Sequence, residues 1–202
     1  MCNSGVGLTP RVRGKLHHFS AGGLYNGLIL LIDDETKTYW DHITGEAVHG
    51  ELVGATLGAW PLEYTTVATA LAKTPGLMVS RQIRRGFKAR MMAFLHRRKI
   101  GSRGFLPPMF RRTMGGSDAR LPEMTQGLGV TVGDLARFYP SSELAQARED
   151  DIAGRCLHVE LSLEDRVPGA RWGDGTRPMQ LFTRWYGFSS TYPNCEVYSA
   201  VE

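Results

Sequence analysis

Cysteine and histidine side chains in the first quarter of the chain are suited to redox or metal chemistry. Cys2 offers a thiol, and the histidines that follow it stand among acids. A thiolate activated by its neighbours does redox chemistry, while imidazole, thiolate and carboxylate ligands together hold zinc, iron or copper. The candidate metal ligands are His18, His42, His49 and Asp41. His17 is adjacent to His18, so on a strand only one of the two faces any given site.

The spacing of these residues leaves two interpretations open. They contain no His-x-x-x-His pair or similar metal-ligand spacing. Isolated histidines more often lie on a surface or hydrogen-bond within a core, and Cys2 on its own is equally a small residue near a terminus. A metal site therefore requires a fold that brings the histidines together.

Thr44-Gly45-Glu46 is typical of a tight turn, in which Gly45 takes a positive φ and Glu46 satisfies backbone donors. This is the interpretation that we favour. The alternative is a buried Glu46 that acts as a general base. Cys2 and Glu46 are accordingly the candidate catalytic residues.

A β-meander over residues 5–60 is predicted to position these side chains, because short apolar runs alternate there with glycines and polar turns. Residues 24–32 predict one apolar strand buried on both faces, and residues 37–42 the strand that returns after a polar turn. Gly14 marks a tight hairpin. A meander brings residues distant in sequence onto neighbouring strands.

The second half of the chain predicts further strands and short helices. Residues 156–163 alternate polar and apolar side chains, which indicates a half-buried strand. Residues 133–139 predict a short helix or turn, residues 142–150 a helix, and residues 179–188 an aromatic helix. The aromatic residues near the carboxyl end are predicted to be core, namely Phe182, Trp185, Tyr186, Phe188, Tyr192 and Tyr198.

A strongly basic segment interrupts an otherwise acidic chain. Residues 81–112 hold eleven Lys or Arg and no acid. Residues 82–98 predict an amphipathic helix, and the long Gly/Pro-rich connection after it suggests an inserted arm over about residues 82–117.

The cations of this basic segment have a plain interpretation and a functional one. The plain one is a solvated helix face paired with acids elsewhere in the domain. The functional one is a surface for an anionic protein or an acidic membrane, carried by Arg84, Arg85, Lys88, Arg97 and Arg98. Nucleic acid is disfavoured, because Phe87 and Phe94 lie on the apolar stripe of the helix rather than among its cations.

Size and composition fit one globular domain over residues 1–202, since 42% of the residues are hydrophobic and 9% aromatic. The longest apolar run, residues 28–32, is far shorter than the roughly 20 residues of a membrane-spanning helix. No signal peptide follows Met1. Three cysteines, Cys2, Cys156 and Cys195, leave the compartment open, although the chain as it stands suggests the cytoplasm.

Several motifs follow one another in order along nearly the whole chain. They are the opening Met1-Cys2-Asn3-Ser4-Gly5, Gly23-Leu24-Tyr25-Asn26, Tyr39-Trp40 before Thr44-Gly45-Glu46, Gly50 and Gly54, Asp118-Ala119-Arg120-Leu121-Pro122, and the closing Trp185-Tyr186-Gly187-Phe188 to Tyr198. In these motifs the chain resembles the bacterial domain-of-unknown-function family 3179. That resemblance implies redox chemistry, because members carry Cys-Pro-x-Cys before Asn-Ser and some relatives look like selenoproteins.

The chain departs from this family pattern at its start. Cys2 matches the second cysteine of the pair, and the first has no counterpart. Either Met1 is the internal residue of a Cys-Pro-Met-Cys whose beginning is missing, or the pair is lost. In the first case any export signal on the true amino terminus is missing as well, which leaves an extracytoplasmic location open.

The fold class predicted from these patterns is α+β, with a mostly antiparallel barrel or curved sheet, peripheral helices and the basic helix appended. Three functions are carried forward: a thiol- or metal-dependent redox protein, a non-catalytic module for an anionic partner, and a small-ligand-binding barrel. The ligand contacts of the third are Tyr25, Asn26, Trp40, Thr44, Asp118 and Arg120.

Overall fold

The structure is a computed structural model that describes residues 4–78, 91, 104 and 106–199. The strands of the first half are β1 (Val6–Leu8), β2 (Arg11–Val12), β3 (Lys15–Leu16), β4 (Phe19–Tyr25), β5 (Leu28–Asp33), β6 (Tyr39–Asp41), β7 (Ala47–His49) and β8 (Ala59–Pro61). Those of the second half are β9 (Gln126–Val132), β10 (Leu135–Pro140), β11 (Arg148–Ile152), β12 (Arg155–Leu161), β13 (Pro168–Trp172), β14 (Met179–Arg184) and β15 (Glu196–Val197). The helices are α1 (Val67–Lys73), α2 (Pro108–Arg111), a 3-10 helix (Ser141–Leu144) and α3 (Trp185–Thr191).

The first half is an antiparallel meander, as the sequence predicts. β4, β5, β6 and β7 form one sheet in chain order, and β2–β3 and β1–β8 form two small ladders. A buried cluster beneath them, the amino-terminal core, consists of Val12, Trp40, Ala47, Leu52 and Leu57.

The predicted single strand over residues 24–32 is wrong, because it is a hairpin of β4 and β5. Asn26 and Gly27 form its turn, with φ angles of 51° and 76°. Two consecutive positive φ angles are what a two-residue hairpin requires, and Asn-Gly is the preferred pair for it. Because apolar residues flank this turn on both sides, the hydrophobicity pattern alone does not reveal it.

The second half contains two further sheets. One has the order β14-β9-β10-β15, antiparallel except where β15 runs parallel to β10. The other is the antiparallel β11-β12-β13. The alternation predicted for residues 156–163 is confirmed as far as Leu161, since Leu157 and Val159 are buried while Cys156 and His158 are exposed.

Three segments of this half that the sequence predicts as helix or turn contain strand residues, although residues 142–144 do lie in the 3-10 helix. Residues 135–140 form β10, residues 148–152 form β11, and residues 179–184 form β14 before α3 begins. In β10, Phe138 and Tyr139 are both fully buried, and they belong to different core clusters. A strand buried on both faces has no polar-apolar alternation, so periodicity cannot distinguish it from a buried helix.

The two halves meet in a shared core of buried side chains. It consists of Leu28, Ile43, Leu106, Phe138, Leu181, Trp185, Tyr186, Phe188 and Cys195. Gly129 is required there, because a Cβ atom on it would lie 2.0 Å from the Phe188 ring. The predicted aromatic core is confirmed for Phe182, Trp185, Tyr186 and Phe188.

The fold is therefore broadly α+β and rich in antiparallel strands, as predicted, but the described strands form five separate sheets rather than a closed barrel. Residues 106–117 of the predicted arm pack against the body, with Leu106 in the shared core and Thr113 bonded to the β4–β5 turn. The predicted basic helix lies outside the described residues. Among the described residues, no helix combines the length and apolar character needed to cross a membrane.

Candidate metal centre

A buried polar site lies where the chain enters β4 and leaves β5. His17 precedes β4, Asp33 ends β5, and Glu35 lies in the turn that follows. The antiparallel pairing of Phe19 with Asp33 brings these segments side by side. His17 and Asp33 are 6% and 0% exposed, while Glu35 is 34% exposed and connects the site to solvent.

These side chains place one nitrogen and two carboxylate groups in a small volume. His17 Nδ1 lies 3.4 Å from Asp33 Oδ1 and 3.7 Å from Glu35 Oε2. Ligand atoms from all three residues lie within 4.8 Å of one another, and in the described part of the chain no other trio of His, Cys, Asp or Glu does so. The arrangement is therefore a candidate cation site.

Asp33 is held firmly by neighbours other than His17. Trp40 Nε1 donates to its Oδ2 at 2.8 Å, and the Thr36 backbone N–H donates to its Oδ1 at 2.6 Å. The Thr36 hydroxyl lies 2.9 Å from both oxygens. Burial alone would raise the pKa of Asp33, but the hydrogen bonds from Trp40, Thr36 and His17 outweigh it and lower the pKa to about 2.

A second layer of polar contacts fixes Thr36 in turn. The Thr36 hydroxyl lies 2.8 Å from that of Thr38, which also accepts the Leu52 backbone N–H at 3.3 Å. Gly50 makes room for this contact, since it has φ +114° and a Cβ atom there would lie 2.8 Å from Thr38 Cα. The turn after β5 is therefore rigidly supported, which a preorganised site requires.

His18 faces the outer side of the same turn. Its Nδ1 lies 2.7 Å from Glu35 Oε1, and its backbone N–H donates to Glu35 Oε2 at 2.9 Å. The side-chain hydrogen bond raises the pKa of His18 and lowers the pKa of Glu35. His18 therefore orients Glu35, while His17, just before β4, is on the buried side.

The metal ligands predicted from the sequence are not brought together as a set. Asp41 is part of a turn, where its Oδ1 accepts the backbone N–H groups of Ile43 and Thr44 at 2.7 and 2.8 Å. His49 is exposed beside the ring of Tyr39, and His42 is half-buried between β6 and β7. None of His18, His42, His49 and Asp41 belongs to the compact trio found among the described residues.

The segment Thr44-Gly45-Glu46 is the turn that the sequence predicts. Gly45 has φ +74°, and a Cβ atom there would lie 3.0 Å from the Leu57 carbonyl oxygen. The Glu46 backbone N–H donates to the Thr44 hydroxyl at 3.2 Å. Glu46 itself is exposed, so the alternative of a buried general base is wrong.

The predicted ligand contacts divide into three groups. Trp40 is fully buried beneath Asp33, so its ring offers no surface to a ligand. The Thr44 hydroxyl accepts a hydrogen bond within its own turn. Asn26 and Asp118 line one open cleft of about 300 Å³. Tyr25 is 64% exposed beside the β4–β5 turn.

Arg120 is engaged in holding the chain together rather than free for a ligand. Its guanidinium forms an ion pair with Asp118 at 2.6 Å and donates to the Cys195 carbonyl oxygen, also at 2.6 Å. It also lies over the Trp185 ring, 5.2 Å from the centroid. The Asp118–Arg120 motif thus ties one loop to the carboxy-terminal segment.

Two predicted sites fall outside the described residues. These are the catalytic thiol Cys2 and the anionic-partner surface of Arg84, Arg85, Lys88, Arg97 and Arg98. Both stay predictions.

Sequence reasoning missed Asp33 and Glu35, which it assigned to a polar turn, and it did not choose His17 over His18. One signal was available. Two acids separated by one residue directly follow an apolar strand, and a histidine pair stands one strand earlier in the same meander.

Comparison with known proteins gives one match. The family described as protein of unknown function (DUF3179) matches residues 1–171. Neither the curated proteins nor the solved structures contain a significant match to the chain.

Proposed function

The chain belongs to the DUF3179 family of proteins of unknown function, and we propose that its amino-terminal half binds one divalent transition-metal ion through His17, Asp33 and Glu35. The observation that carries the proposal is the approach of three potential ligand atoms to within 4.8 Å of one another at a largely buried site. Of the predicted thiol-dependent and metal-dependent redox functions, the proposal keeps the metal-dependent one and replaces the ligands predicted from the sequence.

The separations of the ligand atoms agree with a shared cation. Around a tetrahedral ion with bonds of about 2.1 Å, two ligand atoms lie about 3.4 Å apart. The distances from His17 Nδ1 to the carboxylates of Asp33 and Glu35 are 3.4 and 3.7 Å. Only small side-chain adjustments are therefore needed to admit an ion.

The donor set favours zinc or iron among the candidate metals. One imidazole and two carboxylates suit zinc, iron or manganese, whereas copper in its reduced form prefers sulfur ligands. Three protein ligands leave a further coordination position for water or substrate, as in catalytic metal sites. The ion would supply Lewis acidity, or electron transfer if it is iron.

Metal binding must compete with the hydrogen bonds that these three side chains make. Glu35 accepts two hydrogen bonds from His18, and His17 must present an unprotonated Nδ1. Binding therefore releases protons and weakens in acid. Trp40 and Thr36 would hold Asp33 in place as outer-shell partners.

The test is calorimetric titration of chelator-treated protein with Zn²⁺, Fe²⁺ and Mn²⁺ at pH 7.5. We expect one ion per chain, and an affinity at least about tenfold lower in His17→Gln and Glu35→Gln. His49→Gln on β7 and Glu46→Gln just before it are matched controls at exposed residues and should bind as the wild type does. Absence of stoichiometric binding, or undiminished binding in His17→Gln, would refute the proposal.

The small-ligand alternative keeps one supporting observation. Asn26 and Asp118 line the same open cleft of about 300 Å³, together with Ser117, Ser189 and Ser190. Such a lining would suit a small polar molecule. Paired substitutions Asn26→Ala and Ser190→Ala that leave binding of a candidate ligand unchanged would eliminate this site.

A further inference from the structure

A cysteine, a histidine and a glutamate form a chain of contacts on the outer face of the β11-β12-β13 sheet. Cys156 and His158 are two residues apart on β12, the central strand, so both side chains project from the same face. Glu149 on β11 is the direct cross-strand partner of His158. Strand pairing on both sides of β12 fixes the backbone beneath them.

The histidine ring bridges the other two groups through its two nitrogens. Cys156 Sγ lies 3.8 Å from His158 Nε2, within the range for a hydrogen bond to sulfur. His158 Nδ1 lies 3.2 Å from Glu149 Oε1. With the proton on Nδ1 directed at the carboxylate, Nε2 presents its lone pair to the thiol, which is the arrangement of an activated nucleophile.

The two cysteines in the described part of the chain differ sharply in solvent exposure. Cys195 is 2% exposed and its burial raises the pKa of the thiol. Cys156 is exposed and adjoins Gly173, whose backbone N–H donates to the Cys156 carbonyl oxygen at 3.1 Å. Gly173 has no side chain to cover the sulfur, so a reagent can reach Cys156 from solvent.

Arg171, next to His158, is the cation that can attract an anionic reactant to Cys156. Arg171 on β13 is the cross-strand partner of His158 on the side opposite Glu149. His158 and Arg171 also line a cleft of about 310 Å³, in which Lys73 and Arg177 both pair with Glu63. The other acids nearby are Asp151, Glu160 and Asp165, and Arg155 pairs with Asp174.

We propose that Cys156 is a nucleophilic thiol that exchanges with small disulfides bearing carboxylates, with His158 as its base and Glu149 as the residue that positions His158. The Cys156 proton passes to His158 Nε2 while the sulfur attacks one disulfide sulfur. The disulfide bond breaks, and the released thiolate takes up a proton. Cys156 is oxidised to the mixed disulfide and half of the reagent is reduced to the thiol. The site is independent of His17, Asp33 and Glu35.

The experiment follows thiolate release from 5,5′-dithiobis(2-nitrobenzoate), itself an anionic disulfide, at pH 7 by the full chain carrying Cys2→Ser, which leaves Cys156 and Cys195 as its cysteines. Cys156→Ser should abolish the fast phase, and Cys195→Ser should leave it unchanged. His158→Gln should slow it about tenfold, less than the effect of a general base in an enclosed active site. The pH profile should lose an inflection in this variant, which a structural role of His158 would not cause.

The charge preference is tested separately. Arg171→Gln should slow reaction with the anionic disulfide at least about threefold, and should not slow reaction with the uncharged bis(2-hydroxyethyl) disulfide. Cys156, His158 and Arg171 are exposed, so thermal denaturation of the variants at these three positions should show unaltered stability. A fast phase that survives Cys156→Ser, or a rate in His158→Gln within twofold of the wild type, would overturn the proposal.

Discussion

Replacing Asp33 with Asn tests whether the buried carboxylate of the candidate metal centre stabilises the fold. Asp33 is fully buried and accepts hydrogen bonds from Trp40 Nε1 and from the backbone N–H and hydroxyl of Thr36. Asn has the same shape, but its NH₂ group must face one of these donors. An unsatisfied buried donor and the lost charged acceptor together predict a loss of about 2–4 kcal/mol in the free energy of unfolding.

The pH dependence of this loss follows from the lowered pKa of Asp33. The pKa falls from 3.8 to about 2 on folding, which corresponds to about 2 kcal/mol of stability carried by the ionised form. Because the folded pKa is the lower one, this contribution is fully present above about pH 5. It is lost as the pH falls through 4 to about 2. The gap between wild type and Asp33→Asn should therefore narrow by about 2 kcal/mol between pH 6 and pH 2.

Urea denaturation of chelator-treated protein, followed by tryptophan fluorescence, measures both quantities. Asp34→Asn is the matched control, because Asp34 is the next residue, is 61% exposed and pairs only with Lys37 at 3.6 Å among the contacts described. We expect it to change stability by less than about 0.5 kcal/mol. A loss below about 1 kcal/mol in Asp33→Asn, or a gap that does not narrow in acid, would refute this account of the network.

Two further substitutions test the Gly45 turn and the buried hydroxyl of Tyr139. Gly45→Ala forces a side chain onto a residue with φ +74° and a Cβ atom to within 3.0 Å of the Leu57 carbonyl oxygen, so it should destabilise by about 1–3 kcal/mol in thermal denaturation. Gly115→Ala, where a Cβ atom meets nothing within 4 Å, should be close to neutral. Tyr139→Phe removes the buried hydroxyl that donates to Asp150 Oδ2 at 2.7 Å and should lower the free energy of unfolding in urea by about 1–2 kcal/mol. Tyr25→Phe, at an exposed tyrosine, should leave it almost unchanged. Equal effects of the two substitutions would contradict the burial argument.

Local patterns in the sequence were sufficient where one face of an element meets solvent. The meander of the first half follows from short apolar runs and turn residues, and the Gly45 turn follows from its tripeptide. The alternation of polar and apolar residues in β12 predicted both faces of the strand, the buried face with Leu157 and Val159 and the exposed face with Cys156 and His158. Each of these depends on interactions within a few residues.

Features that depend on contacts between distant parts of the chain could be seen only in the tertiary structure. β14 is buried on both faces over most of its length, and β10 over its second half, which removes the alternation that identifies a strand; residues 133–139 therefore predict a short helix or turn, and residues 179–188 a helix. The members of the candidate metal centre were likewise missed, because histidine content identified the region but the strand register selects the residues. Pairing Phe19 with Asp33 sets His17 beside the end of β5 and leaves His42 and His49 elsewhere on the sheet. Composition thus determined which chemistry the chain can support, and the register of two antiparallel strands determined where, because a shift of one residue reverses which side chains face the buried side.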